Sequence, residues 1–135
     1  MDMTKALDIS ARGMDAQTTR LRVIAENLAN EDTTGSDPRT EPYRRKTVSF
    51  TNTVDRALGA RLVSVNKIGV DQSEFPRRYD PSHPAADAQG YVRTPNVNPF
   101  VEMMDMRDAQ RTYNANLSVM QVARGMLSRA IELLK

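Results

Sequence analysis

An apolar side chain recurs every seven residues through the last quarter of the chain, at Met106, Tyr113, Met120, Leu127 and Leu134. No proline interrupts residues 100–135, and Gly125 is the only glycine there. Met103, Leu117 and Ile131 widen the stripe on one side, Ala109, Asn116, Ala123 and Ala130 on the other, and Val119, Met126 and Leu133 broaden it further. A helix of about 36 residues is about 54 Å long. That exceeds any globular core a chain of 135 residues can surround. Heptads sustained this far imply coiled-coil packing against a segment of the same chain or of another.

The other end of the chain repeats the pattern. Leu7, Met14, Leu21 and Leu28 are spaced by seven, with Met3, Ala11, Ile24 and Ala25 beside them. The spacing predicts a helix over Thr4–Asn30. Gly13 is its weak point, costing about 1 kcal/mol relative to alanine. Asn30 and Gly35 are stop signals.

Between these ends the punctuation changes. All seven prolines lie at 38–99 and all eight methionines lie outside that stretch. Strand-like pieces occur at Thr47–Phe50, Arg61–Val65, Lys67–Val70 and Tyr91–Arg93, with Asn52–Gly59 readable as a short helix or a loop. The expected fold is therefore α+β. It has a coiled-coil helix over 1–30, a small, partly irregular β-rich module over 31–98, and a second coiled-coil helix over 99–135.

Composition removes several function classes. Leu, Ile, Val and Phe supply only 27 of 135 residues. So lean a core suits a protein that completes its packing with a partner. There is no cysteine, hence no disulfide or thiolate metal site. The first residues carry no basic segment followed by an apolar core, so a cleaved signal peptide is not expected. No apolar run reaches membrane-spanning length, so membrane insertion is not expected either.

Nineteen basic and seventeen acidic residues are interspersed. The only tight basic triplet is Arg44-Arg45-Lys46, too little to favour a nucleic-acid partner over a solvated surface. His83 is the single histidine. Asp80, His83 and Asp87 lack a further histidine or cysteine to complete a metal site, and Ser82 beside His83 has no strained turn to present it as a nucleophile. The glycines are scattered singly rather than grouped in a phosphate loop. Neither an enzyme nor a cofactor is expected, and the methionines read as adaptable packing rather than ligands.

The asparagines carry more information. Asn30 and Asn98 stand where helices should end and begin, and read as caps. Asn27 lies three residues before Asn30. Asn116 falls inside the apolar stripe of the last helix. A seam asparagine fixes register at a cost in stability; the alternative is that Asn116, like the other asparagines, only caps a helix or ends a turn. The candidate assembly residues are Leu7, Met14, Leu21, Ile24, Asn27, Leu28 and Asn30 in the first helix. In the last they are Met106, Tyr113, Asn116, Leu117, Met120, Leu127, Ile131 and Leu134.

Ala25-Glu26-Asn27-Leu28-Ala29-Asn30-Glu31-Asp32-Thr33-Thr34-Gly35, followed by Tyr43-Arg44-Arg45-Lys46, resembles the N-terminal signature of the flagellar rod and hook axial proteins. Pro95-Asn96-Val97-Asn98, Glu102-Met103-Met104 and Ala109–Asn116 resemble that family's C-terminal signature. Tyr79–Asp87 with Gly90-Tyr91-Val92 is similar to its proximal-rod branch. The resemblance implies a structural subunit of the proximal rod of the bacterial flagellar basal body. Such subunits are exported by the flagellar type III apparatus without signal cleavage, and assemble in the periplasm into a helical tube that transmits torque from motor to hook. The implied partners are further copies, the other proximal-rod proteins, the distal-rod protein and the rod's base adaptor. Another axial subunit, or more remotely a basic coiled-coil nucleic-acid-binding protein, is the alternative. Two departures from the pattern stand out. Ser36–Pro42 separates Gly35 from Tyr43, and Pro99 replaces an aliphatic residue, which would shift the start of the last helix.

Overall fold

The computed structural model describes residues 2–134. Helix α1 spans Met3–Ala29 and helix α2 spans Pro99–Glu132; between them lie β1 (Lys46–Asp55), β2 (Ala60–Val70), β3 (Arg77–Tyr79) and β4 (Tyr91–Arg93). The fold is α+β, with two sheets of two strands each. Among the described residues no helix is long and apolar enough to cross a membrane.

Local chemistry sets the helix ends. Asp2 Oδ1 accepts the Thr4 amide at 3.0 Å and caps α1. Asn30 Nδ2 donates to the Glu26 carbonyl at 2.8 Å, beside the 3.2 Å bond from its own amide, and closes the last turn of α1. Asn98 Oδ1 accepts the Phe100 amide at 3.1 Å. Pro99 is the first helical residue, where its missing N–H has no intrahelical partner to lose. The proline thus starts α2 rather than displacing it.

The long hairpin revises the strand reading. Asn52–Asp55 is the end of β1 rather than a helix, and Arg61–Val65 and Lys67–Val70 fuse into β2. Asp55 Oδ1 accepts the amides of Ala57 and Leu58 at 2.9 and 3.1 Å, which turns the chain. Gly59 completes the turn at φ 61°, where a side chain would be strained. In the smaller sheet β3 and β4 are antiparallel, pairing Arg77 with Arg93, Arg78 with Val92 and Tyr79 with Tyr91. The two tyrosine rings meet edge to face at 5.3 Å, and Val92 is fully buried.

The chain forms two compact units from interleaved segments. The first is drawn from Met1–Leu21, Val48–Lys67 and Met106–Lys135, the second from Arg22–Thr47 and Ile68–Asp105. In the first unit α1 meets α2 at Gly13 beside Asn116, and at Arg20, whose guanidinium pairs with Asp108 at 3.2 Å. Residue numbers rise along one helix as they fall along the other. Its buried side chains are Ser10, Ala16, Gln17, Leu62, Ala109 and Ala123. Apart from Leu62, these fully buried side chains are small or polar, and the leucine stripe is not among them. Leu7, Met14, Leu21 and Leu28 are only half-buried, and Ala11 and Ala25 are exposed.

Gly13 explains the close approach. A Cβ there would sit 2.8 Å from Asn116 Nδ2, whereas a Cβ at Gly125 would meet nothing within 4 Å. Gly125→Ala should raise stability by about 1 kcal/mol through helix propensity alone. Gly13→Ala should fall short of that gain, and Gly13→Ala with Asn116→Ala should recover it. Urea unfolding of the three variants measures the difference.

Candidate assembly interface

The second unit is organised around polar groups. Its largest fully buried side chains are Glu102, Val92 and Asn27. Asn27 stands near the end of α1, and its amide is saturated. Oδ1 accepts the Lys46 amide at 2.9 Å and the Tyr43 hydroxyl at 2.8 Å. Nδ2 donates to the Lys46 carbonyl at 2.9 Å and to Glu102 Oε2 at 3.2 Å. Burial pushes the Tyr43 phenol up, keeping it a donor.

Glu102 stands in the first turn of α2, where the helix dipole favours an anion. Its Oε1 takes the Arg45 Nε–H in a charge-assisted bond. Arg45 also lies 3.7 Å from an Asp71 carboxylate oxygen and 3.6 Å from one of Asp105. Its own amide donates to Asn96 Oδ1 at 2.7 Å, and Asn96 Nδ2 donates to the Asp71 carbonyl at 3.0 Å. The Ser73 amide and then Arg45 hold the Asp71 carboxyl below the usual carboxylate range. So one buried anion and two side-chain amides tie α1, α2, the start of β1 and the segment after β2.

The basic triplet is engaged in the same network. Arg44 stacks over Phe75 at 4.2 Å and donates to the Asp71 carbonyl at 3.0 Å. Lys46 Nζ donates to Glu26 Oε2 at 2.9 Å, a bond that raises the lysine and lowers the glutamate from their ordinary values. The loop bearing Asp80, His83 and Asp87 is likewise internally bonded, and among the described residues no three metal-ligating side chains converge.

The proposed assembly residues fall into four groups. Ile24 and Asn27 are buried. Asn30 caps its helix. Leu7, Met14, Leu21, Leu28, Met106, Tyr113, Asn116, Leu117, Met120 and Leu127 are half-buried. Ile131 and Leu134 are exposed. A second apolar strip on α2 carries Val101, Met104, Val119, Val122 and Met126, all exposed, and all within about 60° of one another at 100° per residue. Within the first unit, Val119, Val122 and Met126 join Met3 and Ala6 to line an open apolar groove. Periodicity did not single out Glu102 or Arg45. The signal available was that Glu102, Ala109, Asn116 and Ala123 are themselves spaced by seven.

Comparison with known proteins places these elements. Residues 7–35 match the family model described as flagella basal body rod protein, and residues 88–133 match the C-terminal model of the flagellar basal-body rod FlgEFG proteins. The flagellar basal-body rod protein FlgC of Agrobacterium fabrum is 47% identical over 98% of this chain and 96% of its own length. Those of Bacillus subtilis and Salmonella typhimurium are each 39% identical, covering 95% and 98% of this chain and the same shares of their own. The chain belongs to the FlgC family of flagellar basal-body rod proteins. As a FlgC-family protein it is a structural rod subunit of the flagellar basal body and not an enzyme. The polar knot joins the two matched segments of the chain, with Asn27 in the first and Glu102 in the second.

Removing one partner of a buried pair costs more than removing both. Arg45→Met should destabilise by about 3–5 kcal/mol, since it strands the Glu102 charge. Arg45→Met with Glu102→Met should cost less than the single change. Urea denaturation of both variants tests this; a double variant no better than the single contradicts the role given to Glu102.

Proposed function

We propose that the chain polymerises through its terminal helices into the wall of the proximal rod, a helical tube that carries torque from motor to hook. The observation that supports this most directly is the exposed apolar strip of α2. Val119, Val122 and Met126 on α2, and Leu133 just beyond it, are at 50% exposure or more. An apolar strip at heptad spacing fits a neighbouring helix by coiled-coil packing. With the half-buried leucine stripe of α1 it supplies two different surfaces on one subunit. Contacts between unlike surfaces do not close, and they generate a helical polymer.

In this reading the chain works as three parts. Residues 1–30 and 99–135 form the coiled-coil wall, and residues 31–98 form the module that holds the helix roots. Partners are further copies, the other proximal-rod proteins, the distal-rod protein and the rod's base adaptor. The subunit reaches the periplasm-spanning rod through the flagellar type III export apparatus without a cleaved signal. Asn116 serves as a register mark, because a misaligned helix pair would lose its fit over Gly13.

Val122→Glu with Met126→Glu tests the reading. Both side chains are exposed, so the monomer should keep its circular dichroism and unfolding midpoint within error. Rod assembly and motility should be lost. Normal motility with both glutamates present would sink the proposal.

A further inference from the structure

The ribbon of β3 and β4, in the second unit, has two unlike faces. Side chains alternate across a strand, so Arg78 and Val92 share one face, while Arg77, Tyr79, Tyr91 and Arg93 share the other. Val92 is fully buried, which turns the first face inward. On the outward face Tyr79 and Tyr91 are 64% and 42% exposed, and Arg77 stands directly opposite Arg93. Like charges facing each other across an antiparallel pair are destabilising. Among the described residues neither guanidinium forms an ion pair. Arg93 is held only by the Phe75 ring, whose centre lies 5.8 Å away, and by a 3.5 Å bond from its Nη2 to the Pro38 carbonyl. Asp87, the acid whose carboxyl feels Arg77, already accepts the amides of Gln89 and Tyr91 on Oδ1, each at 2.9 Å. The subunit by itself thus shows two cations without counter-ions beside two tyrosines, residue types enriched among interface hot spots.

The inward face borders a surface of the opposite character. Glu31, Asp32, Pro76, Arg78, Pro95 and Pro99 line an open cleft of about 370 Å³. Glu31 Oε2 is buried there with no hydrogen-bond partner. A carboxylate oxygen so placed costs free energy until a donor reaches it. Asp32 beside it is exposed. Arg78 lines the same cleft, yet among the described residues it forms no ion pair with either acid. The prolines give the cleft stiff, apolar walls.

We propose that these two surfaces meet between copies of the chain, with Arg77 and Arg93 of one copy entering the cleft at Glu31 and Asp32 of the next. The donors that Glu31 lacks and the acceptors that the arginine pair lacks are then supplied by the same molecule. The surfaces lie on opposite faces of one ribbon, so the contact joins unlike patches. It does not close as a two-fold pair, and it propagates head to tail. The inference rests on the assembly reading above and adds to it a polar contact outside the terminal helices. A contact made by charges at the surface is screened by salt, whereas apolar packing along α2 is not.

Sedimentation velocity on the full chain tests the contact. Self-association should weaken by about tenfold or more between about 0.1 M and about 1 M salt, as the screening length falls from about 10 Å to about 3 Å. Arg77→Glu with Arg93→Glu, and Glu31→Gln with Asp32→Arg, should each abolish it. An equimolar mixture of these two variants should restore it, because each altered surface then meets its opposite sign. A mixture that stays monomeric overturns the proposal, and so does an unaltered chain that is monomeric at low salt or associates regardless of salt. Arg77→Glu alone guards against misfolding. It sets opposite charges across the strands, so its urea midpoint should rise while self-association falls; undiminished association would again overturn the contact. Repeating the mixing with Val122→Glu and Met126→Glu present in both variants separates the two readings, since restoration there depends on the cleft and not on the α2 strip.

Discussion

Glu102 has no exposed surface, and a carboxylate so placed needs a partner for each oxygen. Arg45 bonds one and Asn27 the other. Every hydrogen-bonding position of the Asn27 amide is then committed, to Glu102, to Tyr43 and to both main-chain groups of Lys46. This arrangement has little tolerance for sliding. Moving α1 by one residue relative to β1 would strand the buried amide, and moving α2 would strand the buried charge. A greasy contact would stabilise the unit comparably but would not specify one register, and specification is the attested use of buried polarity.

That division of labour accounts for the lean composition. Polar groups align the helix roots in the second unit, and small residues let the helices approach in the first. Neither task consumes many large apolar side chains, so those present are left on the helix surfaces. Eighteen large hydrophobic residues are exposed among the described ones, ten of them on or just beyond α2, which is why a monomer reading of the chain is unsatisfying. The same economy gives a subunit a reason to assemble that does not depend on its family.

The helices were legible because their period survives in the sequence, and the caps at Asn30 and Asn98 because cap chemistry is local. The β3 strand was not legible. Arg77-Arg78-Tyr79 has no apolar alternation, and only its pairing with Tyr91–Arg93 makes it a strand. Hairpin continuity was missed for a related reason: Asp55 reads as a loop residue until its carboxylate is seen turning the chain. The leucine stripe shows in the sequence as a period of seven, whereas the close approach of Gly13 to Asn116 carries no periodic signal. Asn27 was singled out by residue type alone. Its partner Glu102 lies 75 residues away and Arg45 lies 57 residues from Glu102, separations over which periodicity carries no signal.

A density map of the assembled rod, at a resolution that shows side chains, tests the central claim most directly. Val119, Val122 and Met126 of each subunit should be buried against a helix of a neighbouring subunit, while the contact between Asn27 and Glu102 remains inside each subunit. Finding that strip facing solvent, or finding the Glu102 knot exchanged between subunits, would contradict it.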